Sequence, residues 1–91
     1  MLLYGKIIRM EIRFTDHARQ QLCERNLSKA DAIKTMYAPD AVIKQSTHRH
    51  RAVRKIRKQS KMYLLVVVYD IHTTHKDIVT AFLTSKIKKY L

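Results

Sequence analysis

The alternation of apolar and polar residues changes its period along this chain. In the segment KIIRMEIRFT, at positions 6–15, every second residue from Ile8 to Phe14 is apolar and most residues between them are charged. A period of two predicts a half-buried β-strand. Residues 1–9 are interpreted as an extension of this strand or as a segment ahead of an alternative start at Met10.

Two helices are predicted after this strand. Thr15 stands as an N-cap before DHARQQLCER, in which Ala18 and Leu22 are four residues apart and share one helix face. Ser28 opens the second helix, with an acidic residue at capping-box spacing, and Pro39 ends it. The apolar stripe of the second helix is expected to consist of Ala30, Ile33, Met36 and Tyr37.

Strand periodicity returns from residue 40 onward, in DAVIKQ, RHRAVRKIRK, KMYLLVVVYD and KDIVTAFLT. Short polar connections between these segments predict antiparallel hairpins. The run MYLLVVVY at 62–69 is apolar on both sides, which is typical of a central strand covered on each face. The two helices cover one face, and the C-terminal segment or a partner chain is expected to cover part of the other.

These elements together predict one α+β domain over residues 1–91: an N-terminal strand, two helices, and a twisted antiparallel meander. A chain of 91 residues is long enough for a single modest core.

The net charge of the chain indicates which class of molecule it binds. The chain has 19 Lys and Arg residues against seven Asp and Glu, for a net charge of +12. The stretch from Lys44 to Lys61 contains eight basic residues and no acidic one. A surface of a single sign attracts polyanions, so a nucleic acid is the expected partner. Charge that serves only solubility is the alternative.

The basic strand has one nearly all-cationic side. Residues two apart on a strand are about 6.6–7 Å apart, which roughly matches successive phosphates along a single nucleic-acid strand. An edge strand protected by charge against aggregation is the alternative interpretation. Alternation gives the cationic side the residues Arg49, Arg51, Val53, Lys55 and Arg57.

Other features narrow the class of protein. The single cysteine, Cys23, excludes a disulfide within the chain and is expected to pack in the interior. The N-terminal segment lacks the pattern of a signal peptide, and the longest apolar run is far shorter than the roughly 20 residues of a membrane-spanning helix. A cytoplasmic protein without membrane association is therefore expected.

Histidine is the side chain best suited to proton transfer near neutral pH. His17 falls in the first turn of the first helix, where backbone N–H groups can hold an anion, although a histidine there is often only a surface residue. The other histidines form two pairs, 48/50 and 72/75, and no cysteine or carboxylate completes either pair at a recognisable ligand spacing. No metal site or other cofactor is predicted.

The C-terminal segment TSKIKKY supplies further candidate groups. Metal-free RNA cleavage needs a base for the ribose 2′-hydroxyl, cations for the charge that develops on the phosphate, and an acid for the leaving oxygen. Passive RNA binding needs the same residue types, and these residues alone favour binding over cleavage. The required types are present in His17, Arg51, Thr84, Ser85, Lys86 and Tyr90.

Several ordered segments resemble a known prokaryotic family, catalogued as domain of unknown function 4258. They are FTDHARQQLCERNLS at 14–28, RHRAVRKI, YLLVVVYD, and IVTAFLTSKIKKY at the C-terminal end, so that the family-like core runs over residues 10–90. The resemblance implies a relation to the fold of barnase, EndoU, colicin nucleases and RelE-type toxins. Arg19, Glu24 and Arg25 also match the family, and the alternative interpretation of Glu24 and Arg25 is that they only fix the first helix to the strands.

The resemblance implies a RelE-like toxin that cleaves single-stranded RNA or mRNA without a metal, by attack of the RNA's own 2′-hydroxyl. His17 is then the base or acid, Arg51 and Lys86 stabilise the phosphate, and Ser85 and Tyr90 orient it. RNA, an acidic antitoxin and the ribosome are the implied partners. The residues expected to bind nucleic acid are Arg19, Arg49, Arg54, Lys55, Arg57, Lys58, Thr84, Lys88 and Lys89.

Two other hypotheses stay open beside the enzyme. One is a non-catalytic nucleic-acid-binding module that uses the same basic strand. The other is a structural subunit of a heteromeric complex, in which an acidic partner neutralises the basic face.

Overall fold

The computed structural model describes residues 10–91, so the first part of the predicted N-terminal strand, at 6–9, lies outside the described residues. The elements in chain order are β1 Glu11–Phe14, α1 Asp16–Glu24, α2 Lys29–Tyr37, β2 Ala41–Lys44, β3 Arg49–Lys58, β4 Lys61–Ile71, β5 His75–Thr84 and α3 Ile87–Tyr90.

The strands form one five-stranded sheet in the order β1-β5-β4-β3-β2. The predicted antiparallel meander is confirmed for β2 to β5. β1 pairs with β5 in parallel, with Glu11 opposite His75 and Phe14 opposite Ile78. The sheet is therefore mixed. β1 can lie parallel to β5 at the edge of the sheet because α1, α2 and strands β2 to β4 form the long connection between the two strands.

Both predicted helix starts are confirmed. The Thr15 hydroxyl accepts a hydrogen bond from the Ala18 amide at 3.1 Å, and the Ser28 hydroxyl accepts one from the Asp31 amide at 3.0 Å. Each cap satisfies an amide that the helix itself leaves without a partner. α2 ends at Tyr37, shortly before the proline that was predicted to stop it.

One face of the sheet is covered by α1 and α2. The expected core positions of α1, Ala18 and Leu22, are buried there, and a guanidinium N–H of Arg25 donates to the Ala81 carbonyl at 2.8 Å, which fixes the end of α1 to β5. The buried cluster on this face contains Ala18, Leu22, Ala32, Ala52, Leu65, Val67, Tyr69, Ile78 and Ala81.

The predicted stripe of α2 is confirmed only for Met36, which packs against the core, and is wrong for Ala30 and Tyr37, which are exposed. Ala32 and Thr35 are fully buried, whereas Tyr37 is 57% exposed. The Thr35 hydroxyl donates to the Asp31 carbonyl at 2.9 Å and accepts from Arg54 Nε at 3.1 Å. Because both hydrogen bonds are satisfied inside the protein, a polar residue can take a core position that the apolar pattern assigned elsewhere.

The opposite face of the sheet is covered by α3, which confirms the expectation for the C-terminal segment. Val53, Leu64, Val66 and Val68 are buried on this face. Burial of each such side chain contributes roughly 1.5–3 kcal/mol. The partly buried residues packed against them include Phe82 of β5 and two residues of α3, Ile87 and Tyr90.

Cys23 is exposed, so the prediction that it packs in the interior is wrong. It follows Leu22 directly, and one step along a helix turns the side chain about 100° away from the buried face. Across residues 10–91, no helix has the length and apolar character needed to span a membrane.

Candidate nucleic-acid interface

Alternation along β3 separates its cations between the two sides of the sheet. Val53 is buried with the α3 residues, so Arg51, Lys55 and Arg57 are on the same side as α3. We call this surface of β3 and α3 the β3–α3 face. Lys55 and Arg57 are exposed, and within residues 10–91 their side chains form neither a hydrogen bond nor an ion pair.

Arg51 and Tyr90 join the basic strand to the C-terminal segment. Arg51 Nε donates to the Tyr90 carbonyl at 3.2 Å, and its guanidinium carbon lies 5.8 Å from the centre of the Tyr90 ring. Lys89 Nζ lies 5.4 Å from the same ring centre, and Phe82 meets the ring edge-on at 5.2 Å. The aromatic ring is therefore fixed by Phe82 and flanked by two cations, at distances typical of cation–π contacts.

The turn between β5 and α3 presents two exposed polar side chains. The Thr84 hydroxyl accepts a hydrogen bond from the Lys86 amide at 3.0 Å, and the Ser85 carbonyl accepts one from the Ile87 amide at 3.0 Å. Thr84 thus shapes the turn. The side chains of Ser85 and Lys86 are exposed beside it.

His17 lies in the first turn of α1, as predicted, and is exposed. Its Nε2 is 2.8 Å from Gln21 Nε2, and the side-chain oxygen of Gln21, Oε1, accepts a hydrogen bond from the Thr80 hydroxyl. The Gln21 side chain therefore links His17 to Thr80 of β5.

The structure does not bring His17 together with Arg51 and Tyr90. α1 packs on the sheet face of Leu65 and Ile78, whereas α3 packs on the opposite face. Among the described residues, no hydrogen bond, ion pair or ring contact links His17 to the β3–α3 face. The predicted site is therefore divided between two layers.

Three arginines predicted to bind nucleic acid have partners within the protein. Arg54 lies on the helix-covered side, where it bonds Thr35 and pairs with Asp31 at 3.7 Å. Arg19 donates to the Phe14 carbonyl at 3.0 Å and pairs with Asp16. Arg49 forms two hydrogen bonds with Asp70, at 2.7 and 2.8 Å. Arg54 and Arg19 fix the helices, and Arg49 ties β3 to β4.

The Arg49–Asp70 pair also affects titration. Hydrogen bonding and charge from Arg49 hold the pKa of the Asp70 carboxyl below its ordinary value of 3.8. The same contacts raise the pKa of Arg49. Because Arg49 is neutralised by Asp70, the cationic row on the β3–α3 face begins at Arg51.

The remaining predicted lysines are exposed. Lys58 ends β3, and alternation places it on the side opposite the β3–α3 face. Lys88 and Lys89 lie on α3, and only Lys89 contacts the Tyr90 ring. Lys89 therefore joins the Arg51–Tyr90 cluster, while Lys88 adds charge beside it.

Sequence reasoning missed the role of Asp77 beside the 72/75 histidine pair. Its Oδ2 lies 3.1 Å from His72 Nε2 and 3.4 Å from His75 Nε2. The available signal was strand alternation, because residues two apart on β5 point to the same side. A search by helical or loop ligand spacings does not find this arrangement.

A comparison of the chain with protein-family models identifies its family. The family model described as a domain of unknown function, DUF4258, matches residues 14–83. The chain belongs to the DUF4258 family. The matched region of this DUF4258 domain runs from the end of β1 almost to the end of β5 and contains both Arg51 and His17. Comparison with curated proteins and with solved structures finds no match, so the RelE-like relation stays a prediction.

The Arg49–Asp70 pair predicts an acid-sensitive contribution to stability. The folded-state pKa of Asp70 is lowered, so this contribution is complete above the ordinary value of 3.8 and is lost as the pH falls through the lower folded-state value. We expect Asp70→Asn to lower the free energy of unfolding at neutral pH, and this deficit to shrink as the pH falls below 3.8, as measured by urea unfolding at low salt.

Glu24→Gln is the control, because Glu24 is an exposed carboxylate that hydrogen-bonds only Gln20 within the described residues. It should keep the free energy of unfolding close to that of the wild type at pH 7. A deficit in Asp70→Asn that is equal at pH 7 and pH 3 would contradict the assignment.

Proposed function

We propose that this DUF4258 domain binds single-stranded RNA across the β3–α3 face. The observation that carries the proposal is the contact between Arg51 and Tyr90. It joins the basic strand β3 to α3, and Arg51 and Lys89 flank the aromatic ring of Tyr90. Proteins that bind single strands combine these two features, a positively charged track for the backbone and aromatic rings for the bases.

The cations on this face differ in their availability for phosphate. Arg51 uses Nε for the Tyr90 carbonyl and keeps its terminal N–H groups for a ligand. Lys55 and Arg57 follow on the same side of β3, at the spacing of alternate strand residues. Val53 interrupts the row because it is buried beneath α3. A bound strand would thus contact Arg51 and α3 at one end and Lys55 and Arg57 at the other.

A second candidate function is metal-independent cleavage of the bound RNA. The observation that favours it is the position of Ser85 and Lys86, which lie exposed in the turn that leads into the helix carrying Tyr90. Arg51 and Lys86 supply charge for the phosphate, and a lysine or tyrosine can serve in proton transfer. His17 lies on α1, which covers the opposite face of the sheet. In this mechanism Lys86 or Tyr90 therefore transfers the proton.

The toxin hypothesis depends on this cleavage. An acidic antitoxin would act by covering the same cations, which makes the β3–α3 face its proposed contact surface. The non-catalytic module and the structural subunit use the same face without chemistry.

The binding proposal predicts a change in salt dependence. The plot of log affinity against log salt has a negative slope, and each phosphate contact with a single strand adds about 0.7 to its magnitude. We therefore expect the magnitude of the slope to fall by about 1.4 in Lys55→Ala/Arg57→Ala. Both side chains are exposed and without partners in the described part of the chain, so the fold should be preserved. The measurement is fluorescence anisotropy of a labelled oligouridine over a salt series.

Lys34→Ala is the matched control, because Lys34 is an exposed lysine on α2, in the layer that covers the other side of the sheet. It should retain the wild-type slope. Equal slopes in the wild type and in the double variant would remove β3 from the proposed interface.

The cleavage candidate predicts a different dependence on residues. The protein is incubated in EDTA with a labelled single-stranded RNA and with the same RNA carrying 2′-O-methyl groups, and the product ends are analysed. We expect cleavage of the unmodified strand only, to a 2′,3′-cyclic phosphate, with loss of activity in Lys86→Ala and retention in His17→Ala.

Activity that is lost in His17→Ala and kept in Lys86→Ala would reverse this assignment. RNA binding without cleavage, with or without ribosomes, would leave the domain a binding module.

A further inference from the structure

We propose that the end of the β4–β5 hairpin holds a divalent cation of borderline hardness, for which Zn²⁺ is the natural probe. The ligands are His72, His75 and Asp77. One donor atom from each lies within 4.8 Å of the other two. This inference is independent of the RNA-binding proposal.

The distances fit the edges of a zinc coordination polyhedron. In a tetrahedral site with ligand distances of about 2.0–2.1 Å, neighbouring donor atoms are about 3.3–3.4 Å apart. Asp77 Oδ2 lies 3.1 Å from Nε2 of His72 and 3.4 Å from Nε2 of His75. The two imidazole rings are 4.6 Å apart between centres, with 23° between their planes. Two of the three donor–donor distances therefore already match a zinc site, and the third lies within 4.8 Å.

The ligand orientation has a local cause. His75 and Asp77 are two residues apart on β5, so both side chains project from the same side of the strand, and His72 comes back over them from the turn. His75 Nδ1 lies 3.1 Å from the Thr74 hydroxyl. Donation from Nδ1–H to this hydroxyl leaves the Nε2 lone pair for the metal, which is how hydrogen bonds beyond the ligands fix metal-binding histidines.

The local charge also suits a cation, although the chain as a whole is strongly basic. Asp77 Oδ2 faces the two imidazoles, and its neighbour across the sheet, Arg13, pairs with Glu11 at 3.1 Å. Neutral imidazoles with one carboxylate are a donor set that zinc accepts. Arg13, the cation opposite Asp77 on β1, is thus already paired with a carboxylate of its own.

The fourth coordination position would face solvent. His72 is 47% exposed and lines an open cleft with the turn residues Thr73 and Thr74 and with His48, which directly precedes β3. A site with three protein ligands keeps one position for water or for a donor from another molecule. The metal would tie the turn to β5 and leave this position reachable from the cleft.

The test is isothermal titration of untagged, metal-free protein with Zn²⁺. We expect one Zn²⁺ per chain and a loss of affinity of at least tenfold in His72→Ala and in Asp77→Asn, since loss of even an outer-shell partner commonly costs about 10–100-fold. His17→Ala is the matched control, because it removes an exposed histidine from α1 and should leave Zn²⁺ affinity unchanged.

Circular dichroism melts with and without Zn²⁺ give a second readout. Binding to the folded state raises Tm, and this increase should disappear in the two ligand variants while their metal-free melts stay cooperative. Absence of Zn²⁺ binding, or equal affinity in the wild type, His72→Ala and Asp77→Asn, would overturn the site and identify the cluster as an ion-pair network only. RNA binding in EDTA is unaffected in either case, so the two proposals fail separately.

Discussion

Strand β4 has to be covered on both sides, and the rest of the architecture meets this requirement. From Leu64 to Tyr69 every residue is buried, with alternate side chains entering two separate clusters. α1 and α2 cover one side. The other side is covered by α3, a helix of only four residues, with the help of Phe82. Because α3 packs on this face, Tyr90 contacts Arg51. The candidate interface is therefore a consequence of how the core is packed.

The same two-layer arrangement sorts the cations of a chain with a net charge of +12. Arg54 lies beneath α2 and bonds a buried threonine, and Arg49 is neutralised by Asp70. These arginines contribute to folding, so they add little to the attraction of a polyanion. The cations that remain available on the β3–α3 face are Arg51, Lys55, Arg57 and the lysines of α3, whereas Lys34 and Lys58 lie on the opposite side. Like charges on one surface repel each other and destabilise the folded protein. Binding of a polyanion explains why the chain carries such a surface more readily than folding does.

Sequence patterns predict an element well when its cause is local. The caps at Thr15 and Ser28 and the period-two strands depend on neighbouring residues, and they are confirmed. The parallel pairing of β1 is decided by residues more than 60 positions away, so periodicity does not reveal it. The orientation of α2 was missed for a related reason, because the hydrogen bond that lets Thr35 enter the core comes from Arg54 on β3.

The candidate site shows the same division. Strand alternation identified Arg51, Lys55 and Arg57 as one row, and the structure keeps them on one side. Which layer each residue faces depends on the packing of the whole sheet, so the sequence grouped His17 with Tyr90 although α1 and α3 cover opposite faces. Asp77 was overlooked because its relation to His72 is created by the turn.

The central claim is that RNA binds to the β3–α3 face. The most direct test is a titration of ¹⁵N-labelled protein with a single-stranded oligouridine, followed by two-dimensional NMR. The account predicts that the largest shift changes fall on β3 around Arg51, Lys55 and Arg57 and on α3, and that they diminish as salt is added. Shift changes confined to α1 and α2, with α3 unaffected, would contradict it.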